Sequence, residues 1–245
     1  MARRRFFVPE IRRGLTELTG PEAEHLVRVL RVEPGQTFEL SDNHNLYLAE
    51  IEIACKSSVS FRILEKLEPP APTVHITVLP ALFKFDRFEW LVEKVTELGV
   101  AEIQPFEAVR SERGLAHAAA KRRTRWEKIA LEAAQQSRRA HLPDIRPTVR
   151  FETVLENPAN VRLQLDENPD LPPILELLPE TRGSADRVAL LSGPEGGWTE
   201  DERHRAQTAG WLPCSLGKTI LRAETAAIAA LAVTRAAWML SKVNK

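Results

Sequence analysis

Two short stretches place glycine directly after a predicted strand and have the composition of a ligand-binding turn. The apolar run 188–192 is followed by Gly-Pro-Glu-Gly-Gly at positions 193–197, and the predicted strand 212–216 ends at Gly217. Glycine allows the backbone to take positive φ or to approach a ligand closely. Ligands of open α/β sheets bind at the carboxyl ends of strands. The alternative is an ordinary strand-to-helix turn at each place.

The residues after the first glycine loop limit the class of ligand. Thr199 and Glu202 have the spacing of a capping box, and Glu200 and Asp201 fall in the first turn of the predicted helix. These carboxylates complement the positive end of the helix and oppose a phosphate placed there. The pattern therefore favours a neutral or cationic ligand held by backbone groups.

Arg222 lies between the second glycine turn and a helix predicted over 223–240. That helix is apolar on nearly every side as far as Arg235, which predicts burial in the core or across a subunit interface. Arg222 is therefore either a surface cation or a site residue at the start of a buried helix.

The composition predicts a folded protein with no bulk preference for nucleic acid. Hydrophobic residues make up 43% of 245 residues, and 34 basic residues balance 34 acidic ones, so nucleic-acid binding must be argued from local patches. Cys55 and Cys214 are isolated, which disfavours a structural zinc site and indicates a reducing compartment. No metal ligand is expected. The longest apolar run, 226–233, is too short to cross a bilayer, and 1–8 is too short for a signal peptide, so a cytoplasmic protein away from membranes is predicted.

A proline-rich seam at 66–73 separates two kinds of sequence. The part before it, 1–70, alternates at period two and predicts a small β-barrel with one helix over 22–30. The part after it, 71–245, alternates strands and helices, which predicts a largely parallel sheet covered by helices. The predicted strands are 74–79, 101–106, 161–165, 188–192 and 212–216, and the predicted helices are 86–98, closed by Gly99, 118–139 and 223–240.

Several segments together resemble one family, the RsmE family of 16S rRNA uracil-N3 methyltransferases within the SPOUT superfamily. The strongest similarity lies in GPEGG at 193–197, SLG at 215–217 and ILRAETA at 220–226. Further similar segments are HLVRVLR at 25–31, EKVTELGV at 93–100 and EAAQQS at 132–137. The resemblance covers most of the chain and both predicted domains.

The resemblance implies a fold and a reaction. It implies a PUA-like β-barrel over 1–70 that binds RNA, and a SPOUT-type α/β domain over 71–245 with a C-terminal deep trefoil knot. It implies S-adenosylmethionine as methyl donor, S-adenosylhomocysteine as product, and a homodimer in which the second subunit completes the site. The implied substrate is N3 of one uridine in 16S rRNA, within a small ribosomal subunit or its precursor.

The family pattern assigns donor binding to the ends of three strands. The loop after 161–165 is included by position, through Asp166 or Glu167. The expected donor-binding residues are Leu165, Asp166, Leu191, Gly193, Gly196, Leu216, Ile220 and Leu221.

Catalysis at uracil N3 requires loss of a proton and stabilisation of negative charge on O2 or O4. Arg222 is expected to stabilise that charge, with Arg139, acting from the partner subunit, as second choice. Glu195 and Glu224 are the candidate bases, and for each of them pairing with an arginine is the favoured alternative. The residues expected to contact RNA are Arg4, Arg5, Arg28, Arg31 and Arg110, with solvated charged faces as the alternative.

Two positions depart from the family pattern, and two other functions stay open. Arg138 stands where the family usually has glycine, and Lys218-Thr219 replaces a more usual Pro-Arg, which puts substrate contacts rather than the donor site in question. The alternatives are a methyltransferase acting on another RNA base or on transfer RNA, and a non-catalytic RNA-binding module.

Overall fold

The computed structural model describes residues 5–71 and 73–240 and divides the chain into two compact units. The first unit comprises Met1–Ala71 together with Leu131–Leu142, and the second comprises Pro72–Ala130 together with Pro143–Lys245. The first unit is thus assembled from two separate segments of the chain.

The first unit contains a five-stranded sheet, one complete helix and the last residues of another. The strands are β1 (Arg5–Phe7), β2 (Leu15–Thr19), β3 (Thr37–Ser41), β4 (Leu46–Cys55) and β5 (Ser58–Leu67), and the helix is α1 (Gly20–Arg28). The strand order is β1-β3-β4-β5-β2, with β1 parallel to β3 and the other pairs antiparallel.

The alternating pattern of these strands explains their core. In β2 the side chains alternate between exposed and buried, as expected when one face of a strand is solvated. The buried face contributes Leu18, which clusters with Leu40, Ile51 and Phe61 of the other strands and with Leu26 of α1. The predicted helix over 22–30 therefore exists, shifted by two residues towards the N-terminus.

The second unit alternates strands and helices as the sequence predicts. Its strands are β6 (His75–Pro80), β7 (Glu102–Ile103), β8 (Phe106–Glu107), β9 (Asp144–Ile145), β10 (Val149–Arg150), β11 (Val161–Leu165), β12 (Arg187–Ser192) and β13 (Leu212–Cys214). Its helices are α2 (Phe85–Glu97), α4 (Phe151–Leu155), α5 (Glu200–Thr208) and α6 (Ala223–Met239), with a 3₁₀ turn at Ile174–Leu177. Helix α3 (Leu115–Gln136) begins in this unit, and its last residues are counted with the first.

Six of these strands form one sheet in the order β13-β11-β12-β6-β7-β9, and every pair in it is parallel. The predicted parallel sheet is therefore confirmed. The predicted strand 101–106 is instead two strands, since β7 joins the large sheet while β8 pairs with β10. Pro105 lies between them and has no amide hydrogen to continue the ladder.

Apolar clusters cover both faces of the sheet. Along β12, Val188 and Leu190 belong to one cluster and Ala189 and Leu191 to the other, as the alternation of side chains across a strand requires. Helices α2 and α6 pack on the first cluster, while α4 and α5 contribute to the second. The sheet is thereby fixed from both sides, which leaves the loops at the carboxyl ends of its strands to build a site.

Candidate active site

A cavity of about 520 Å³ lies at the carboxyl ends of β11, β12 and β13, which are neighbours in the sheet. Loop 1 (165–167) follows β11, loop 2 (192–198) follows β12, and loop 3 (216–222) follows β13, and residues of all three line the cavity. Lys84 and Arg87, at the start of α2, complete the wall. The two glycine turns singled out in the sequence therefore meet at one place.

A buried tryptophan joins loop 1 to loop 2. Trp198 is 1% exposed, and its indole Nε1 donates a hydrogen bond of 2.8 Å to the carbonyl of Leu165. A Cβ added to Gly193 would lie 2.9 Å from the Trp198 ring. Glycine is therefore needed at position 193 to admit the tryptophan, whereas Gly197 meets the expectation of positive φ, with φ at +69°.

The predicted capping box is confirmed at the start of α5. The Thr199 hydroxyl accepts a hydrogen bond of 3.2 Å from the backbone N–H of Glu202, and the Glu202 carboxylate accepts one of 2.9 Å from the N–H of Thr199. The second carboxylate oxygen of Glu202 accepts from the N–H of Val109 at 2.8 Å. Since this buried carboxylate occupies the helix start, an anionic ligand is disfavoured there.

Arginines brace the loops of the cavity. Arg203 of α5 contacts Asp166 and Glu167 of loop 1 and the carbonyl of Trp198. Arg110, expected at the RNA surface, donates to the carbonyls of Gly196 at 3.0 Å and Trp198 at 3.1 Å. The structure thus gives Arg110 a role in holding loop 2, although its side chain remains part of an exposed surface.

The two candidate bases have different surroundings. Glu195 lines the cavity and forms an ion pair with Arg87, so the arginine-pairing alternative holds for it. Glu224 is buried in the first turn of α6, and its Oε2 has no hydrogen-bond partner among the described residues. Glu195 therefore faces the cavity but is paired, whereas Glu224 has an unpartnered oxygen but does not line the cavity.

Two cations at the cavity are not engaged in ion pairs with the residues that the structure describes. Arg222, the expected charge-stabilising group, is the N-cap residue of α6 and lines the cavity with an exposed side chain. Lys84 is the N-cap residue of α2 and is also exposed. Both can turn towards negative charge that develops near the cavity.

Most of the expected donor-binding residues lie in the cavity wall, and one does not. Leu191 is fully buried in the core behind loop 2, so it supports the loop and does not line the cavity. The expected residues that do line it are Leu165, Asp166, Gly193, Gly196, Leu216, Ile220 and Leu221.

Cys214 of β13 lies beneath loop 1, where its carbonyl accepts a hydrogen bond of 3.0 Å from the N–H of Asp166. Burial, together with the charge of Asp166, raises the pKa of the Cys214 thiol to about 12. This cysteine is therefore a protonated, inert part of the core at neutral pH.

The arginines that were expected to bind RNA or to assist catalysis differ in their exposure. Arg28 and Arg31 are exposed, whereas Arg5 is buried in an ion pair of 2.7 Å with Glu39 and also donates to the carbonyl of Arg138. The expectation that Arg5 contacts phosphate is corrected, because its guanidinium is already committed within the unit. Arg139 belongs to the first unit and is not among the residues lining the cavity, and Arg4 lies outside the described residues.

Sequence reasoning did not single out Lys84, Arg87, Arg203 or the packing role of Trp198. Lys84 and Arg87 follow β6, which pairs directly with β12 in the parallel sheet, so the end of that strand was the signal that would have found them. Arg203 has no such signal, because its partners are 36 and 37 residues away along the chain.

The described residues contain neither a cluster typical of a metal site nor a helix able to span a membrane. Within residues 5–71 and 73–240, no cluster of three or more histidine, cysteine or acidic side chains has the grouping of a metal site. Within the same ranges, no helix has the length and apolar character needed to span a membrane.

Comparison with known proteins assigns the family. A model described as RNA methyltransferase domain matches residues 69–235, and one described as RNA methyltransferase PUA domain matches residues 18–64. The ribosomal RNA small subunit methyltransferase E of Synechocystis is 33% identical over 95% of this chain and 77% of its own length. The chain belongs to the ribosomal RNA small subunit methyltransferase E family. The member from Bacillus subtilis is 32% identical over 93% of this chain and 94% of its own length.

A solved structure supports the same assignment for the fold. The family member from Neisseria gonorrhoeae, solved bound to S-adenosyl methionine, is 31% identical and superposes with a TM-score of 0.84, covering 97% of this chain and 98% of its own. The resemblance to the RsmE family and the α/β fold with an N-terminal PUA-like domain are therefore confirmed.

Proposed function

We propose that this chain transfers a methyl group from S-adenosylmethionine to N3 of one uridine in 16S rRNA, forming 3-methyluridine. Membership of the family supports methylation of small-subunit rRNA, since the relatives carry that activity in their names. The observation that carries the proposal is the convergence of loops 1, 2 and 3 on one cavity, in a chain whose structural relative binds S-adenosyl methionine.

The residues present fit this donor. A cavity of about 520 Å³ lies within the usual range for ligands of this size. Its wall is built from the loops at the strand ends, and its lining includes the acidic residue Glu167 and the cations Lys84 and Arg222. A ligand with a cationic sulfonium and ammonium and an anionic carboxylate meets groups of both signs there, whereas the acidic start of α5 opposes a phosphate.

Arg222 is assigned to charge stabilisation on the uracil. When bound, the donor supplies an activated methyl group on a sulfonium. As the N3 proton leaves, negative charge spreads to O2 and O4, and a preorganised cation beside them lowers the barrier. The exposed guanidinium of Arg222 at the cavity wall suits that task, and alignment of N3 within the site contributes the rest.

Two carboxylates, those of Glu195 and Glu224, are candidates for the base that accepts the N3 proton. For Glu195 to accept the N3 proton, its ion pair with Arg87 must open. Glu224 has an unpartnered oxygen and lies beside Arg222 in the chain, although it does not line the cavity. The pH profiles of kcat for Glu195→Gln and Glu224→Gln distinguish them, because only loss of the base removes the acidic limb of the profile.

The proposal includes the deep trefoil knot of the SPOUT superfamily and a homodimer. Exposed apolar side chains support an interface in the second unit, where Ile220 is 82% exposed and Met239 and Leu240 at the end of α6 are 66% and 81% exposed. Arg139 of the second subunit then acts as the additional cation. Sedimentation analysis of the purified chain tests the dimer directly.

The RNA substrate is proposed to contact the first unit, in a cytoplasmic small ribosomal subunit or its precursor. Arg28 and Arg31 are exposed there, and the family model for an RNA methyltransferase PUA domain matches this part of the chain. Phosphate contacts of this kind weaken as the salt concentration rises, so substrate KM is expected to increase with salt.

The decisive experiment combines donor binding with mapping of the product. Calorimetry measures S-adenosylmethionine binding, and labelled donor is then incubated with small ribosomal subunits from a strain lacking the gene. Label on uridine N3 of 16S rRNA supports the proposal. Label on another base or on transfer RNA supports the alternative methyltransferase, and failure to bind the donor supports an RNA-binding module.

A further inference from the structure

One side chain contacts two of the loops that line the cavity. Arg203 lies in the first turn of α5, outside the cavity wall. Its Nε donates a hydrogen bond of 2.7 Å to Asp166 and its Nη2 donates one of 2.9 Å to Glu167, both in loop 1. Its Nη1 donates one of 3.2 Å to the carbonyl of Trp198 at the end of loop 2.

The hydrogen bonds from Arg203 to the two carboxylates are charge-assisted, which makes them stronger than hydrogen bonds between neutral groups. The guanidinium is a planar, permanently charged group whose donors spread over three nitrogens in a fixed fork, so it can reach three separated acceptors at once, whereas a lysine donates from a single nitrogen. The side chain of Asp166 is only 2% exposed and that of Arg203 is 25% exposed. The hydrogen bond to Asp166, followed by the nearby charges, raises the pKa of Arg203 above its usual value. Removal of the guanidinium would leave a nearly buried carboxylate without its partner.

The contact with Glu167 fixes a polar group at the cavity. Glu167 lines the cavity, and its Oε1 lies 2.9 Å from where a Cβ on Gly197 would stand. The carboxylate therefore rests against the backbone of loop 2, and Arg203 donates a hydrogen bond to the same oxygen. A small movement of Arg203 would therefore change the position of the Glu167 carboxylate in the cavity wall.

We propose that Arg203 is a positioning residue for donor binding: it holds Asp166 and Glu167 of loop 1 against loop 2, so that this part of the wall is preformed before the donor arrives. Preformed walls raise affinity because the ordering of loops no longer has to be driven by binding. The inference rests on the proposed function, in which the ligand of this cavity is S-adenosylmethionine.

Arg205 provides a matched control on the same helix. It forms ion pairs of 2.7 Å with Glu152 and 3.6 Å with Asp201, and its guanidinium lies 5.5 Å from the centre of the Phe151 ring. None of these partners lines the cavity. Arg203→Gln and Arg205→Gln therefore each remove one arginine with several partners from α5, and only the first removes a contact with loop 1 or loop 2.

The first measurement needs no ligand. Amide hydrogen exchange is compared in the donor-free wild type, Arg203→Gln and Arg205→Gln. We expect residues 165–168 and 193–198 to exchange faster in Arg203→Gln alone. Equal protection of these loops in all three proteins would overturn the inference, whatever the cavity binds.

The second measurement is the dissociation constant of S-adenosylmethionine by calorimetry. Arg203→Gln is expected to raise it about tenfold, and Arg203→Lys to raise it less, because the charge is restored without the fork of donors. Arg205→Gln is expected to leave it unchanged. In combination with Glu167→Gln the Arg203 effect should be less than additive, since part of that effect runs through the contact between the two residues.

The outcomes separate this inference from the proposed function. Failure of the wild type to bind the donor sinks the proposed function, and the exchange experiment then decides the role of Arg203 alone. Tight binding by both the wild type and Arg203→Gln sinks the positioning role and leaves the proposed function standing. Should Arg203→Gln fail to fold, Arg203→Lys replaces it in both measurements, with smaller changes of the same sign expected.

Discussion

The indole nitrogen of Trp198 donates a 2.8 Å hydrogen bond to the carbonyl of Leu165, and this contact directly joins the loops that follow two neighbouring strands. Leu165 ends β11, and Trp198 ends the glycine loop after β12. Together with the hydrogen bonds from Arg110, the Trp198 bond holds a turn whose glycines favour no one conformation.

We expect Trp198→Phe to lower both stability and donor affinity. The ring remains, but the buried Leu165 carbonyl loses its partner, which costs about 1–3 kcal/mol of unfolding free energy. Denaturant unfolding and donor calorimetry measure the two effects. Trp211→Phe is the control, since Trp211 is equally buried and its indole donates to the Leu155 carbonyl at 3.3 Å away from the cavity wall. A loss of donor affinity in both variants would contradict a local role for Trp198.

Arg222→Ala should abolish methyl transfer and leave donor affinity unchanged. The guanidinium is needed only when charge develops on the uracil, so the loss should fall on kcat, by about 100-fold or more. Methyl incorporation and calorimetry are measured side by side. Arg187→Ala serves as control, since this exposed arginine begins β12 at the opposite end of the strand from the cavity. Full activity of Arg222→Ala would refute the assignment.

The stability of the first unit should depend on the ionisation of Glu39. Burial opposes its ionisation, but hydrogen bonds from Arg5 and Arg138 outweigh burial and lower the pKa of Glu39 below its usual 4.5. A lowered pKa contributes stability above pH 4.5, and that contribution is lost as the pH falls through the folded-state value. The wild type should therefore exceed Glu39→Gln in unfolding free energy at neutral pH, and the difference should shrink in acid.

The matched control for Glu39 is Glu127→Gln. Glu127 is 48% exposed and pairs with Arg123 at 2.9 Å, an arrangement worth little in water. Acid titration followed by fluorescence-detected unfolding measures both variants. A pH-independent gap between the wild type and Glu39→Gln would refute the linkage.

Arg138→Gly should be more stable than Arg138→Ala by about 1 kcal/mol. Arg138 has φ of +56°, a conformation that glycine adopts without strain and alanine does not. Both variants lose the 2.8 Å contact with Glu39, so their difference reports the backbone alone. At Arg123, inside α3, the order should reverse, because glycine is the poorer helix former. Thermal unfolding of the four proteins provides the comparison.

The features that could be predicted from the sequence are those that depend on a local pattern of residues. Hydrophobic runs placed the parallel strands, the spacing of Thr199 and Glu202 placed the start of α5, and the glycines marked the strand ends that form the cavity. Contacts between distant segments could not be predicted this way. The pairing of Arg203 with Asp166 depends on how α5 is placed against loop 1, and the burial of Arg5 depends on a glutamate 34 residues away.

The left-handed backbone of Arg138 gives a physical meaning to one departure from the family pattern. The family pattern has glycine at this position, and the structure places the residue at positive φ. The arginine keeps that conformation while its side chain joins Arg5 at Glu39. The departure therefore concerns an internal ion pair of the first unit, and it leaves the wall of the cavity as it is.

Because the first unit is built from two segments of the chain, it cannot be obtained as one continuous fragment. The carbonyl of Ala140 accepts a hydrogen bond of 2.6 Å from Ser41, and the N–H of Leu142 donates one of 2.7 Å to Asn43. A fragment that stops at residue 71 lacks these partners, and it also lacks the Arg138 carbonyl that accepts a hydrogen bond from Arg5. An autonomous RNA-recognition fragment would have to graft residues 131–142 back through an engineered connection.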